Sequence, residues 1–175
     1  MGTRDWAAAA VAAGLIGIGL LAASETNMWK IAMLEPETRA RAQKLLDWLA
    51  AKGWKPSITS TNRTEEQQAK AIADGKSGTT ITWHFSGRAL DVTLTNPITG
   101  KRLDTPTNAE IEAYYRPMHQ KWAELGGFGI AFSDYPNGPS RRINGTKGPI
   151  WDGGHLEFHG PFATAAAAYT ASRNA

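Results

Sequence analysis

Only four histidines occur in this chain of 175 residues, and two of them sit in similar company. His84 leads Phe85-Ser86-Gly87-Arg88-Ala89-Leu90-Asp91, so a His and an Asp stand either side of a Gly turn. His155 closes Asp152-Gly153-Gly154-His155 and is followed by Leu156-Glu157. Cysteine is absent, which excludes a thiol nucleophile, a thiolate-ligated zinc finger and a disulfide scaffold. Any metal must then be held by imidazoles and carboxylates. Two imidazoles and one carboxylate are the ligand set of an open catalytic zinc site, with the fourth position left for water. His84, Asp91 and His155 supply that set. Asp152, three residues before His155 and separated from it by two glycines, is the candidate general base acting on that water.

These side chains need elements that bring them together. Arg88 to Thr95 alternates as a strand, with Leu90, Val92 and Leu94 on one face and Ala89, Asp91 and Thr93 on the other. His155 to Phe158 reads as a second strand with Leu156 and Phe158 inward. Neighbouring placement of the two would bring Asp91 and His155 out on one face, with His84 arriving from the turn. Around them, Glu35-Pro36 opens a helical pattern running to about Lys52, just before Gly53, and Ser57 to Thr61 reads as a short strand. Thr64-Glu65-Glu66-Gln67 is a capping box opening a helix that should stop at Gly75. Thr107-Asn108-Ala109-Glu110 is another, with a helix to about Leu125 that Pro117 should kink or split. Ser133 to Pro149 is a Gly-, Pro- and Asn-rich loop carrying Arg141, Arg142 and Lys147, a candidate lid over the cleft or a solvated insertion. Phe162 to Arg173 reads as an Ala-rich helix. The expected fold is α+β: a small antiparallel sheet carrying a zinc site, helices packed on one side, and a single apolar segment before it.

A hydrophobic fraction of 42% and a charged fraction of 20% exclude a disordered chain, a coiled coil and a multi-span membrane protein. The net charge of +3 is a mild bias towards anionic partners, but the basic residues are scattered and no recognition motif appears, so nucleic acid is not an expected partner. Trp6 to Ser24 carries no charge, and Ala7 to Ala23 is wholly apolar or Gly, at the lower limit for spanning a bilayer. The expected division is therefore residues 1–27 as an export or signal-anchor segment and 28–175 as the catalytic domain. Three readings stay open for the segment: a signal peptide cleaved near Ala22-Ala23-Ser24, an uncleaved anchor, or an anchor that later leaves the membrane. Each places the domain outside the cytoplasm, in the periplasm or cell wall, with residues 6–24 its membrane contact.

Thr82-Trp83-His84-Phe85-Ser86-Gly87-Arg88-Ala89-Leu90-Asp91 resembles the S-x-H-x-x-G-x-A-x-D signature of the zinc peptidases that include the D-alanyl-D-alanine carboxypeptidases. Asp152-Gly153-Gly154-His155-Leu156-Glu157 resembles the D-x-x-H-x-E ending of their phage branch, the L-alanyl-D-glutamate endopeptidases or endolysins. Ser60-Thr61-Asn62-Arg63-Thr64 with Gln67 and Gly75 is similar to the family's Arg-Thr…Gln…Gly stretch. The likeness runs in order from about Arg39 to Phe158. It implies Zn2+ on His84, Asp91 and His155, Asp152 as catalytic base, and Arg63 stabilising the oxyanion or anchoring a substrate carboxylate. It also implies that the substrate is the stem peptide of peptidoglycan, cut between L-Ala and D-Glu. Thr82 stands where the motif has Ser, and Trp83 and Trp151 flank the two motifs as candidate groove residues, with core packing as the alternative. Of the rest, Glu157 is expected to orient a ligand or close a strand, His159 to substitute as a ligand or support one, and His119 to be a surface or packing residue. A monomer is expected. The rivals are a D-alanyl-D-alanine carboxypeptidase and a non-catalytic peptidoglycan-binding module.

Overall fold

The computed structural model describes residues 27–75, 77, 79–129 and 153–175. Helix α1 (Pro36–Ala51) starts with Pro at its first turn, where a missing N–H costs nothing, and the Glu35 carboxylate accepts from the Thr38 N–H. Strand β1 (Lys55–Ser60) follows after Gly53, and helix α2 (Glu65–Ala73) after it. The capping box at α2 forms as expected: Gln67 N–H donates to the Thr64 hydroxyl, while the Gln67 side chain accepts from Thr64 N–H. A 3-10 turn (Trp83–Ser86) ends at Gly87 and leads into strand β2 (Ala89–Thr95).

Helix α3 opens with one α turn (Asn108–Glu110), widens into a π segment (Ile111–Tyr115) and continues as α-helix (Arg116–Glu124). The interruption expected at Pro117 thus lies just ahead of it. Proline has no N–H to give and its ring crowds the preceding turn, and the wider π turn makes room for that ring. Two short strands, β3 (Phe128–Gly129) and β4 (His155–Glu157), and helix α4 (Ala165–Arg173) complete the described chain. No helix among the described residues is long and apolar enough to cross a membrane; the apolar run before residue 27 and the loop of 133–150 lie outside them.

Among the described residues the sheet has four strands in the order β1-β2-β4-β3, every pair antiparallel. Leu90, Val92, Leu94, Ile58 and Leu156 point from it into a core completed by Ala42, Leu45 and Leu49 of α1 and Tyr115, Met118 and Trp122 of α3. The face alternation expected for β2 is observed. Helices do not lie on one side only, however. Ala89 points away from that core and forms a smaller cluster with Trp83 and Ala168 of α4. An Ala at that strand position leaves room for a helix where a larger side chain would hold it off.

The outer edge of β1 is occupied as well. The Asn27 amide donates to the Pro56 carbonyl at 2.9 Å and accepts from Ile58 N–H at 3.0 Å, and the Lys30 ammonium donates to the Ile58 carbonyl. Pro56 itself has no donor to leave unpaired there.

Candidate metal centre

β2 and β4 are neighbours, and their register sets Asp91 directly opposite His155. Gly87 carries His84 to the same place. Its φ of 66° is left-handed, and a Cβ would come within 2.8 Å of Glu35 N, so only Gly closes this turn against the start of α1. One ligand atom from each of His84, Asp91 and His155 lies within 4.8 Å of the others. His84 Nε2 is 3.4 Å and His155 Nδ1 is 2.8 Å from Asp91 Oδ1. On the opposite side of β2, the pairing with β1 slips between Ile58 and Ser60, so that Ser60 faces Asp91. Such a bulge re-aims side chains next to a site. Here it is followed by Arg63, whose Nη2 lies 3.5 Å from Asp91 Oδ2 and whose Nη1 donates to Gln68 Oε1 at 2.7 Å.

The donor set fits a metal, and His84 carries the clearest sign of it. Its Nδ1–H donates to the Thr61 carbonyl at 2.5 Å, which leaves the Nε2 lone pair aimed at Asp91. That Nε2 is buried with no hydrogen-bond partner, on a residue only 1% exposed. An orphaned buried acceptor is costly unless something unseen satisfies it. His155 presents the other nitrogen: its Nε2 is 2.8 Å from Glu157 Oε1, so Nδ1 faces the cluster. Burial by itself pushes the Asp91 carboxyl up. The positive charge that the His84 and His155 imidazoles bring when protonated, with the hydrogen bond from His155, outweighs it and holds the group well below the usual carboxylate range.

The arrangement behind the ligands was only partly legible in the sequence. Glu157 accepts from His155 with one oxygen and from His159 Nε2, at 2.8 Å, with the other. Burial pushes its carboxyl up, but these two imidazoles pull it lower overall. The His159 ring is clamped between Trp83, stacked at 4.1 Å, and Phe128 at 4.5 Å, so it supports Glu157 and does not join the cluster. Of the two readings of His119, packing is the one observed: it is 5% exposed, and its Nε2–H also donates to the Gly153 carbonyl at 2.7 Å. Burial pushes its imidazole down to about 4, so it is neutral near pH 7. Trp122 Nε1–H donates to the Glu157 carbonyl at 2.8 Å, so α3 grips β4 and the turn before it at two points. The available signal was spacing, since His119 follows Tyr115 by four residues and precedes Trp122 by three, on the stripe that packs into the core.

Thr82 and Trp83 are buried: the Thr82 hydroxyl accepts from His84 N–H at the head of the 3-10 turn, and Trp83 packs on Ala89 and Ala168. Gln68, not Gln67, is the glutamine beside Arg63. Asp152 and Trp151 lie outside the described residues.

No family model matches the chain. A stretch of 71 residues is 41% identical to the "L-alanyl-D-glutamate peptidase" of Listeria phage A118. The match covers 41% of this chain and 24% of that relative, so the chain spans about a quarter of the length of the curated protein it matches.

Proposed function

We propose that this chain is a zinc-dependent peptidoglycan endopeptidase that hydrolyses the L-alanyl–D-glutamate bond of the stem peptide, acting outside the cytoplasm on the wall. The observation that carries the reading is the buried, unpartnered His84 Nε2 aimed at Asp91, with His155 Nδ1 on the same carboxylate oxygen. The partial identity with a phage peptidase supports the reaction class and the substrate. In this reading residues 28–175 are the catalytic domain, and His84, Asp91 and His155 hold the zinc. A bound zinc ion supplies Lewis acidity, bringing the pKa of its water to about 7 and polarising the scissile carbonyl.

The chain's own groups do the rest. Thr61 and Glu157 fix which nitrogen each histidine presents. Asp152 takes a proton from the attacking water and returns it to the departing amine of D-Glu. Arg63, held by Gln68 and lying beside Asp91, offsets negative charge on the carbonyl oxygen as the peptide carbon becomes tetrahedral.

The test is digestion of purified peptidoglycan by the full chain, with and without chelator, alongside Asp152→Asn, with products read by mass spectrometry. New amino termini on D-Glu, lost with chelator, restored by zinc and absent in the variant, are expected. Release of D-Ala alone would move the function to a carboxypeptidase. No cleavage by zinc-loaded protein would overturn the peptidase reading in favour of a binding module.

A further inference from the structure

Among the described residues, three of the six large apolar side chains left at the surface lie within six positions of one another, while Ile81, Ile98 and Phe128 stand apart. Met28 is 56%, Trp29 81% and Met33 58% exposed, and Ala32 beside them is also exposed. Residues 27–32 are helical, so positions 28, 29, 32 and 33 fall on one face. The opposite face, with Asn27, Ile31 and Leu34, is buried against the domain. Lys30, the one charged residue of the stretch, turns its ammonium to the Ile58 carbonyl. The outward face therefore carries no polar side chain. Single exposed hydrophobic residues are ordinary, but a contiguous row with a Trp in it marks an interaction surface.

What precedes the row in the sequence indicates what covers it. The uncharged run Ala7 to Ala23 is separated from Asn27 by Ser24, Glu25 and Thr26 alone, which reach about 10 Å when extended. If lipid is the solvent of that run, the row sits at the bilayer boundary, where Trp is enriched and an apolar helix face can enter the headgroup region. The helix is also tied to the domain through the Asn27 bonds to Pro56 and Ile58 and the burial of Ile31 and Leu34.

We propose that the face formed by Met28, Trp29, Ala32 and Met33 lies on a lipid bilayer surface and holds the domain in one orientation, β1 side towards the membrane. This goes beyond the peptidase reading and does not depend on it.

The chain has no cysteine, so single cysteines can carry an environment-sensitive fluorophore without background. Trp29→Cys, Met33→Cys and, as a charged and exposed control at the end of α3, Glu124→Cys are made in the full chain. Each is mixed with phosphatidylcholine–phosphatidylglycerol vesicles containing lipids brominated on the acyl chain. Quenching at 29 and 33 is expected to exceed that at 124 by roughly twofold or more. Adding Trp29→Glu to Met33→Cys should bring quenching down to the control's level. Equal quenching at all three sites, no flotation with vesicles, or unchanged quenching with Trp29→Glu would each overturn the proposal. A probe at 29 that is shielded without vesicles would also overturn it, assigning the face to a second copy or to the chain's own apolar run.

Discussion

The two histidines of the cluster are held by different means. His84 hangs on backbone: its Nδ1–H meets the Thr61 carbonyl, and Gly87 locks the turn that carries it. His155 depends on side chains. Glu157 fixes its Nε2, His159 steadies Glu157, and His119 and Trp122 hold the strand and turn from α3. A carbonyl cannot be mutated away, whereas each side chain can. The His155 half should therefore be the tunable and fragile half of the site.

The largest effect is common to both halves. Asp91→Asn removes the charge that both imidazoles face, and zinc affinity, read by competition with a chromogenic chelator, should fall further than the ~10–100-fold typical of losing a partner behind a ligand. Glu157→Gln should cost within that ~10–100-fold range. Thr61→Ala, by contrast, should leave zinc affinity unchanged, because the bond to His84 is made by the main chain. Equal losses for Glu157→Gln and Thr61→Ala would erase the distinction between the halves.

His119 sharpens the comparison through pH. Its imidazole titrates at about 4 in the fold, against about 6.5 when free. The unfolded chain thus binds the proton first as pH falls. The stability tied to neutral His119 is complete above about 6.5 and is lost as pH drops towards 4, with a total on the order of 3 kcal/mol. His119→Gln keeps an N–H donor but cannot titrate. Urea unfolding of the zinc-free protein at pH 7 and pH 4.5 should show a smaller acid loss in this variant than in the parent. Equal losses would mean that His119 is charged in the folded state. Among the side chains behind His155, the smallest effect is expected for His159→Phe, which keeps a ring between Trp83 and Phe128 and removes only the bond to Glu157. Zinc affinity should weaken by less than ~10-fold.

The meeting of Asp91 and His155 was legible because strand alternation is a local signal: the two had to leave their strands opposite Leu90 and Leu156, and adjacency did the rest. Caps were legible for the same reason, since Thr64 and Thr107 meet partners three residues away. The supports of His155 were harder to see. His119 bonds to a residue 34 positions later, and its meaning depends on how α3 crosses β4. The slip at Ser60 that turns Arg63 towards Asp91 leaves no mark in composition, because a bulge depends on how two strands pair. Ala89 faces away from the main core as the alternation predicts, and its small size leaves room on that face, but that α4 fills the room depends on packing no local spacing shows.

The Asn27 side chain has a consequence beyond local packing. A bare sheet edge is a template on which another extended chain can add itself, the first step towards fibrous aggregation. Here an amide supplies one acceptor and one donor to β1 as a neighbouring strand would, and Lys30 takes the next carbonyl. That edge thus offers little purchase for runaway polymerisation, and Asn27→Leu should raise the rate of thioflavin-positive aggregation at temperatures where the fold persists.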